Sequence, residues 1–233
     1  MFPLSLKAIL LLDDTFQRHC GPPRMNIPEA IAITGTLSNP GKMPCHSTSI
    51  PASRCITGAK LAKVEGSICS SCYALKGRYG FPNVQSCLEK RFQGLTNPKW
   101  VEAMALLINM TESSGFFRWH DSGDLQGVWH LANIAKVCEL TPNIQHWLPT
   151  REYGFVSQFL QLGNVIPSNL NVRLSAFMFE GPTPDAIAQR TGCTVSGAGK
   201  ADFTCPSSSQ GNKCLSCRAC WKKDVFSITY KKH

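Results

Sequence analysis

Four cysteines near the C-terminus carry the most specific chemistry in this chain. Cys205-Pro206 is followed after eight residues by Cys214, and then by Cys217 and Cys220 at three-residue spacing. Three thiolates spaced this way wrap three corners of a cubane, and a distant fourth, here beside a proline, closes it. Structural zinc more often uses two separate Cys-x2–4-Cys knuckles, so the run points to a [4Fe–4S] cluster, with zinc as the alternative. The residues between, 207–213, are too polar for a core, which argues against plain buried thiols. A second group is Cys45, Cys55, Cys69 and Cys72. Cys69-Ser70-Ser71-Cys72 is its tight pair, Cys45 and Cys55 are distant partners, and His46 is a spare donor. Two divisions are open: a centre for each group, which is the reading adopted, or one centre shared by Cys69, Cys72 and two tail cysteines. Cys87 and Cys138 fall on apolar helix faces and read as small core residues.

A polar run, His120-Asp121-Ser122-Gly123-Asp124, follows an apolar stretch. On a functional reading Asp121 and Asp124 bind a cation or amine, and His120 is an acid, base or ligand. Ser122 and Gly123 then approach a cofactor through the backbone, Gly123 permitting close contact. The plainer reading is a strand-to-helix turn with Asp124 as an N-cap and His120 turned inward. Arg151, in Thr150-Arg151-Glu152, suits a carboxylate or phosphate, or a pairing with Glu152 or Asp124.

These residues need elements to hold them. Val84 to Gln93 predicts a helix, and Asn97-Pro98 caps another with Trp100, Met104, Leu107 and Ile108 on one face. Strands are predicted at 116–120, 144–148 and 172–176, with helices at 128–140 and 152–162 between them. That is the βα repeat of a parallel α/β sheet, open or closed as a partial barrel, whose chemistry sits at the C-terminal strand ends. The polar run, Thr150-Arg151-Glu152 and Phe179-Glu180-Gly181 should therefore converge on one face. Three segments are expected: 1–44 N-terminal, 45–192 the α/β core with a long cysteine loop, and 193–233 a metal-binding tail in which 225–230 adds an edge strand. The four tryptophans Trp100, Trp119, Trp129 and Trp147 read as core, and Trp221 as a shield for the tail centre.

Composition sets limits. Of 233 residues, 43% are hydrophobic, enough for a core without help from cross-links. The apolar run Ala8 to Leu12 is too short to span a bilayer and lacks a cleavage site, so it is expected to pack on the core, with no membrane association. A reducing, cytoplasmic compartment then follows, in which twelve cysteines serve as ligands, catalytic groups or buried thiols. The formal charge of +9 falls to about +5 if two thiolate centres of net −2 are present. Nucleic-acid binding is permitted but not demanded, and Lys222, Lys223, Lys231 and Lys232 are placed to neutralise a tail cluster.

Several of these segments together resemble the phage gene-product-88-like family: Gly35-Thr36-Leu37-Ser38-Asn39-Pro40-Gly41-Lys42-Met43-Pro44-Cys45, the run from Cys69 to Tyr79, His120 to Asp124, and the tail from Cys205 to Trp221. The likeness covers roughly 30–222 and implies a virus-encoded protein acting in a bacterial host cytoplasm. A fainter likeness is to radical S-adenosylmethionine enzymes. Cys72-Tyr73-Ala74 is similar to the end of their cysteine loop and Gly123-Asp124 to their glycine-rich, amine-binding turn. Their Cys-x3-Cys-x2-Cys spacing is not kept, since Glu65 stands four before Cys69, so a third ligand would come from Cys55 or Cys45. The reading is an iron–sulfur protein with one or two [4Fe–4S] clusters, of redox or radical type, acting on a small molecule or redox partner. The alternative is a zinc-stapled nucleic-acid-binding or host-interaction protein, with Lys60, Lys63, Lys76 and Arg78 on phosphates.

Overall fold

The computed structural model describes residues 25–199 and 204–232; the run Ala8 to Leu12 and Cys20 lie outside them. Helix α1, Ile27–Thr34, opens with a capping box in which Asn26 accepts from the Glu29 N–H and Glu29 accepts from that of Asn26. A short helix α2, Ile56–Leu61, stands in the cysteine loop. Helices α3, Pro82–Gly94, and α4, Trp100–Thr111, follow. Then comes the repeat: β1 Phe116–Arg118, α5 Val128–Leu140, β2 Gln145–Thr150, α6 Tyr153–Gln161, β3 Leu170–Ser175, α7 Asp185–Thr191, β4 Thr194–Gly199 and, after the tail, β5 Ser227–Lys231.

All five strands are parallel and lie in sequence order, forming a curled half-barrel. The expected α/β class and partial barrel are thus observed. The repeat also runs one unit further than the periodicity suggested. Beyond Cys193, where the pattern appears to break, Thr194–Gly199 pairs with β3 as the fourth strand. Its small residues, Gly197 and Gly199 among them, disguise the alternation.

Strand alternation sorts side chains to two faces. Phe117, Leu148, Leu170, Val172, Leu174 and Val195 meet the helices in the main core, with Trp100, Trp119 and Cys138. The opposite set, Phe116, Arg118, Trp147, Asn171 and Arg173, lines the concave side and is covered by the tail. There Met43, Cys45, Trp147 and Trp221 form a second buried cluster against Cys214, Cys220 and Tyr230. Trp221 donates to the Phe117 carbonyl at 2.8 Å. Two core assignments are corrected: Trp129 is 43% exposed, and Cys87 is exposed because the buried face of α3 runs through Leu88 and Arg91.

Arg173 anchors the tail. It is 0% exposed and has no recorded carboxylate partner among the described residues. Its Nη1 donates to the carbonyls of Val195 (2.7 Å) and Phe226 (3.2 Å). Its Nη2 reaches those of Val225 (3.0 Å), Ala219 (3.3 Å) and Lys222 (3.4 Å). Beside it Asn171 donates to the carbonyls of Cys220 and Lys222. The carbonyls of Phe226, Ala219 and Lys222 also accept from the Val195 N–H, the Lys222 N–H and Asn171, so the guanidinium adds a second donor to these and is the recorded donor to Val225; a buried carbonyl left unpaired costs about 1–3 kcal/mol. Arg173→Met, which keeps the bulk, is expected to cost about 1–3 kcal/mol in urea denaturation and to speed thiol labelling of the tail. Wild-type stability in the variant would refute the anchoring role.

Candidate functional site

The cysteine loop lies over the C-terminal ends of the strands. Ile68 donates to Phe177 and Phe179 to Gly66, tying the loop to the segment after β3. Ile50 donates to the Ser122 carbonyl, and the Ser122 hydroxyl to that of Ile50, tying it to the turn after β1. Gly123 makes this approach achievable: φ is +84°, and a Cβ there would stand 2.2 Å from Ile50 Cγ1. The close neighbour of Gly123 in the structure is Ile50.

Cys55 caps α2, and Cys69 sits in the 3-10 turn Cys69–Ser71, with Cys72 at its end. A Cβ on Gly58 would lie 3.5 Å from Cys55 Sγ and 3.6 Å from Cys69 Sγ, so both sulfurs face one small space that the glycine leaves open. Burial raises the Cys55 thiol most, followed by the charges of Asp124, Cys72 and Cys69. Cys69 is raised by burial first, and Arg151 opposes this. Arg151 is held by Nε donation to the Ala176 carbonyl at 3.1 Å.

The two carboxylates beside these thiols are already engaged. Asp124 Oδ1 accepts from Thr150 Oγ1 (2.6 Å) and the Leu125 N–H (2.8 Å), and Oδ2 from the Arg151 N–H (2.9 Å). It is not a helix N-cap; Gly127 occupies that position. Glu152, which the spacing did not single out, accepts from the Thr57 N–H (2.7 Å) and hydroxyl (2.8 Å). It thereby caps α2 from another element and holds Cys55 in place. Its position directly after Arg151 at a strand end was the available signal.

The remaining predicted residues separate. His120 has φ 52°, is buried, and packs its ring on His130 at 5.2 Å. Burial drives its pKa well down, and Nδ1 has no partner. Asp121 turns toward Arg78, Tyr79 and Arg91. His46 is taken by Glu112, which accepts from its N–H at 2.6 Å and lies 3.0 Å from Nδ1.

Cys45 groups with the tail, not with Cys55, Cys69 and Cys72. It packs against Cys214 and Cys220, and burial raises its pKa to about 12, with Cys214 among the charges acting on it. Cys205 and Cys217 act on Cys214, and Cys205 on Cys220. Of the lysines assigned to neutralise this region, Lys223 donates to the Pro167 carbonyl and Lys232 lies over Phe179. Lys42, Arg118 and Arg173 act on the tail thiols instead. Among the described residues no three His, Cys, Asp or Glu side chains come close enough to bind one metal ion.

Residues 25–223 match the family model described as gene product 88. The chain belongs to this family. Comparison with curated proteins and with solved structures finds no match. This gene product 88 member has a parallel half-barrel like that of radical S-adenosylmethionine enzymes, and among its described residues no helix is long and apolar enough to cross a membrane.

Burial raises the Asp124 pKa to about 6, against the pull of its three hydrogen bonds. A carboxyl raised on folding is neutral in both states at low pH. As pH climbs, the unfolded state ionises first, so stability falls from about pH 4 to about 6 and is flat above. The stability difference between wild type and Asp124→Asn, measured by denaturation across pH, should decline over that window. A difference that rises with pH there would contradict the buried placement.

Proposed function

We propose that this protein is an iron–sulfur enzyme of redox or radical type, with Cys55, Cys69 and Cys72 holding one [4Fe–4S] cluster and Cys205, Cys214, Cys217 and Cys220 another. The observation that carries the reading is the pair of thiols, Cys55 and Cys69, over Gly58 beside Arg151, with Cys72 among the charges acting on both. The donor set fits such a cluster: neighbouring Asp124 and Glu152 are hydrogen-bonded elsewhere, which leaves sulfur. Thiolates on one zinc ion sit roughly 3.8 Å apart, whereas a cubane spreads its ligands on the order of 6 Å.

When bound, a three-cysteine cluster supplies an electron and one iron open to a ligand. The chain's own residues do the rest. Glu152 and Thr57 fix Cys55, and Arg151 presents its guanidinium to the carboxylate or phosphate of a small-molecule or nucleotide cofactor such as S-adenosylmethionine. Asp124 holds the Arg151 backbone, and Ser122 and Gly123 keep the turn against the loop. Tail thiolates would balance the charges of Arg118 and Arg173. Host cytoplasm, as a reducing compartment, suits both centres. A second reading, nucleic-acid or host-protein binding, draws on exposed Lys60, Lys63, Lys76 and Arg78 around the loop; steep loss of nucleic-acid affinity with salt would favour it.

Anaerobically purified protein should contain about eight irons with matching sulfide, and Cys72→Ala about half as many. Arg151→Ala should leave iron unchanged and weaken S-adenosylmethionine binding about tenfold or more. A colourless protein holding one or two zinc ions would overturn the proposal.

A further inference from the structure

A cavity of about 350 Å³ opens on the other side of the 120–124 turn, lined in part by Arg78, Tyr79, Val84, Leu88, Arg91 and Asp121. It lies at the small end of the range for ligand sites, which pair apolar walls with a few convergent polar groups. Its charges are not satisfied among themselves. Asp121 Oδ1 is buried without a hydrogen-bond partner, although the Tyr79 hydroxyl interacts with the same carboxyl. Asp121 makes no ion pair within 4.0 Å with Arg78 or Arg91, although its charge acts on Arg91 and Arg118. Arg91 is 7% exposed and spends Nε on the Thr36 carbonyl (2.9 Å) and Nη1 on Ser49 Oγ (2.7 Å), so Nη2 remains. Among the described residues the exposed Arg78 guanidinium has no recorded partner.

Two guanidinium groups suit a carboxylate, which accepts paired N–H donors. A buried carboxylate oxygen suits an ammonium or other N–H donor, and leaving it unmet is costly. Val84 and Leu88 offer an apolar wall to a side chain. We infer that this cavity is a binding site for a small zwitterion of the α-amino-acid type, with its carboxylate on Arg78 and Arg91 and its ammonium on Asp121. The inference is independent of metal at the cysteines. It does have a route to them: Tyr73, directly after Cys72, donates its hydroxyl to the Asp121 carbonyl, and its ring meets Tyr79 at 5.8 Å.

Calorimetric titration of the full-length protein with the twenty L-amino acids tests this, with 4-methylpentanoate and 3-methylbutylamine as the two halves of leucine. At least one amino acid should bind saturably, and the half-molecules about tenfold or more weakly. Asp121→Asn should lower amino-acid affinity about tenfold while leaving carboxylate-only binding unchanged. Arg78→Ala should weaken both by a similar factor, and since Arg78 is exposed, without loss of melting temperature. Iron content should be the same in both variants, which separates this site from the cluster. No saturable binding below about 10 mM, or binding that survives both substitutions, would overturn the assignment.

Discussion

A cation buried in a β-strand organises the concave half of this molecule. Arg173 lies where the alternation of β3 points into the curl, and all its recorded hydrogen bonds run to main-chain carbonyls from β4, from the tail and from the approach to β5. The segment that covers that side is irregular, so its buried carbonyls must find donors outside a helix or sheet ladder. Arg173 and Asn171 are those donors, and the β1 backbone accepts in return from Trp221. The tail cysteines therefore sit on a rigid support despite having almost no secondary structure of their own.

The turn after β1 performs a similar role on the other rim. Within five residues it sends His120 into the core, Asp121 to a cavity, Ser122 to the cysteine loop and Asp124 to the end of β2. Left-handed backbone at His120 and Gly123 makes these divergent directions feasible. Asp124, Thr150, Arg151, Glu152 and Thr57 then form one continuous set of contacts ending beside Cys55. A disturbance at the strand ends thus reaches the thiols through hydrogen bonds and not through the apolar core.

How much of this the sequence revealed depended on whether a local pattern existed. Val128–Leu140 was readable to the residue because its apolar period is regular, and β1 to β3 because each begins an amphipathic βα unit. β4 was hidden by glycines, and α1 by its neighbours, although Asn26 and Glu29 spell a capping box. At the site, the cysteines were identifiable by type, but their partition was not. Cys45 and Cys55 are ten residues apart and part company because Ser47 bridges to β1 while the following segment crosses to Ser122. Nor does spacing reveal that one dihedral, at His120, turns a supposed catalytic ring toward His130.

Charge balance gives the cysteines their meaning. As free thiols, Cys45 and Cys220 are pushed by burial to about 12 and about 11, so they would be neutral near pH 7. Arg173 would then be a fully buried cation facing carbonyl dipoles alone. Arg118, stacked 4.5 Å over Trp147 with its Nε buried and unpartnered, is better placed, because the Asp121 charge acts on it. A cation buried without an opposite charge is expensive, yet a hydrophobic side chain of similar size would fill the same space. An anionic thiolate centre removes the difficulty, because a site of net −2 matches two arginines. The proposed centre and the two arginines would thus offset the cost of each other's burial.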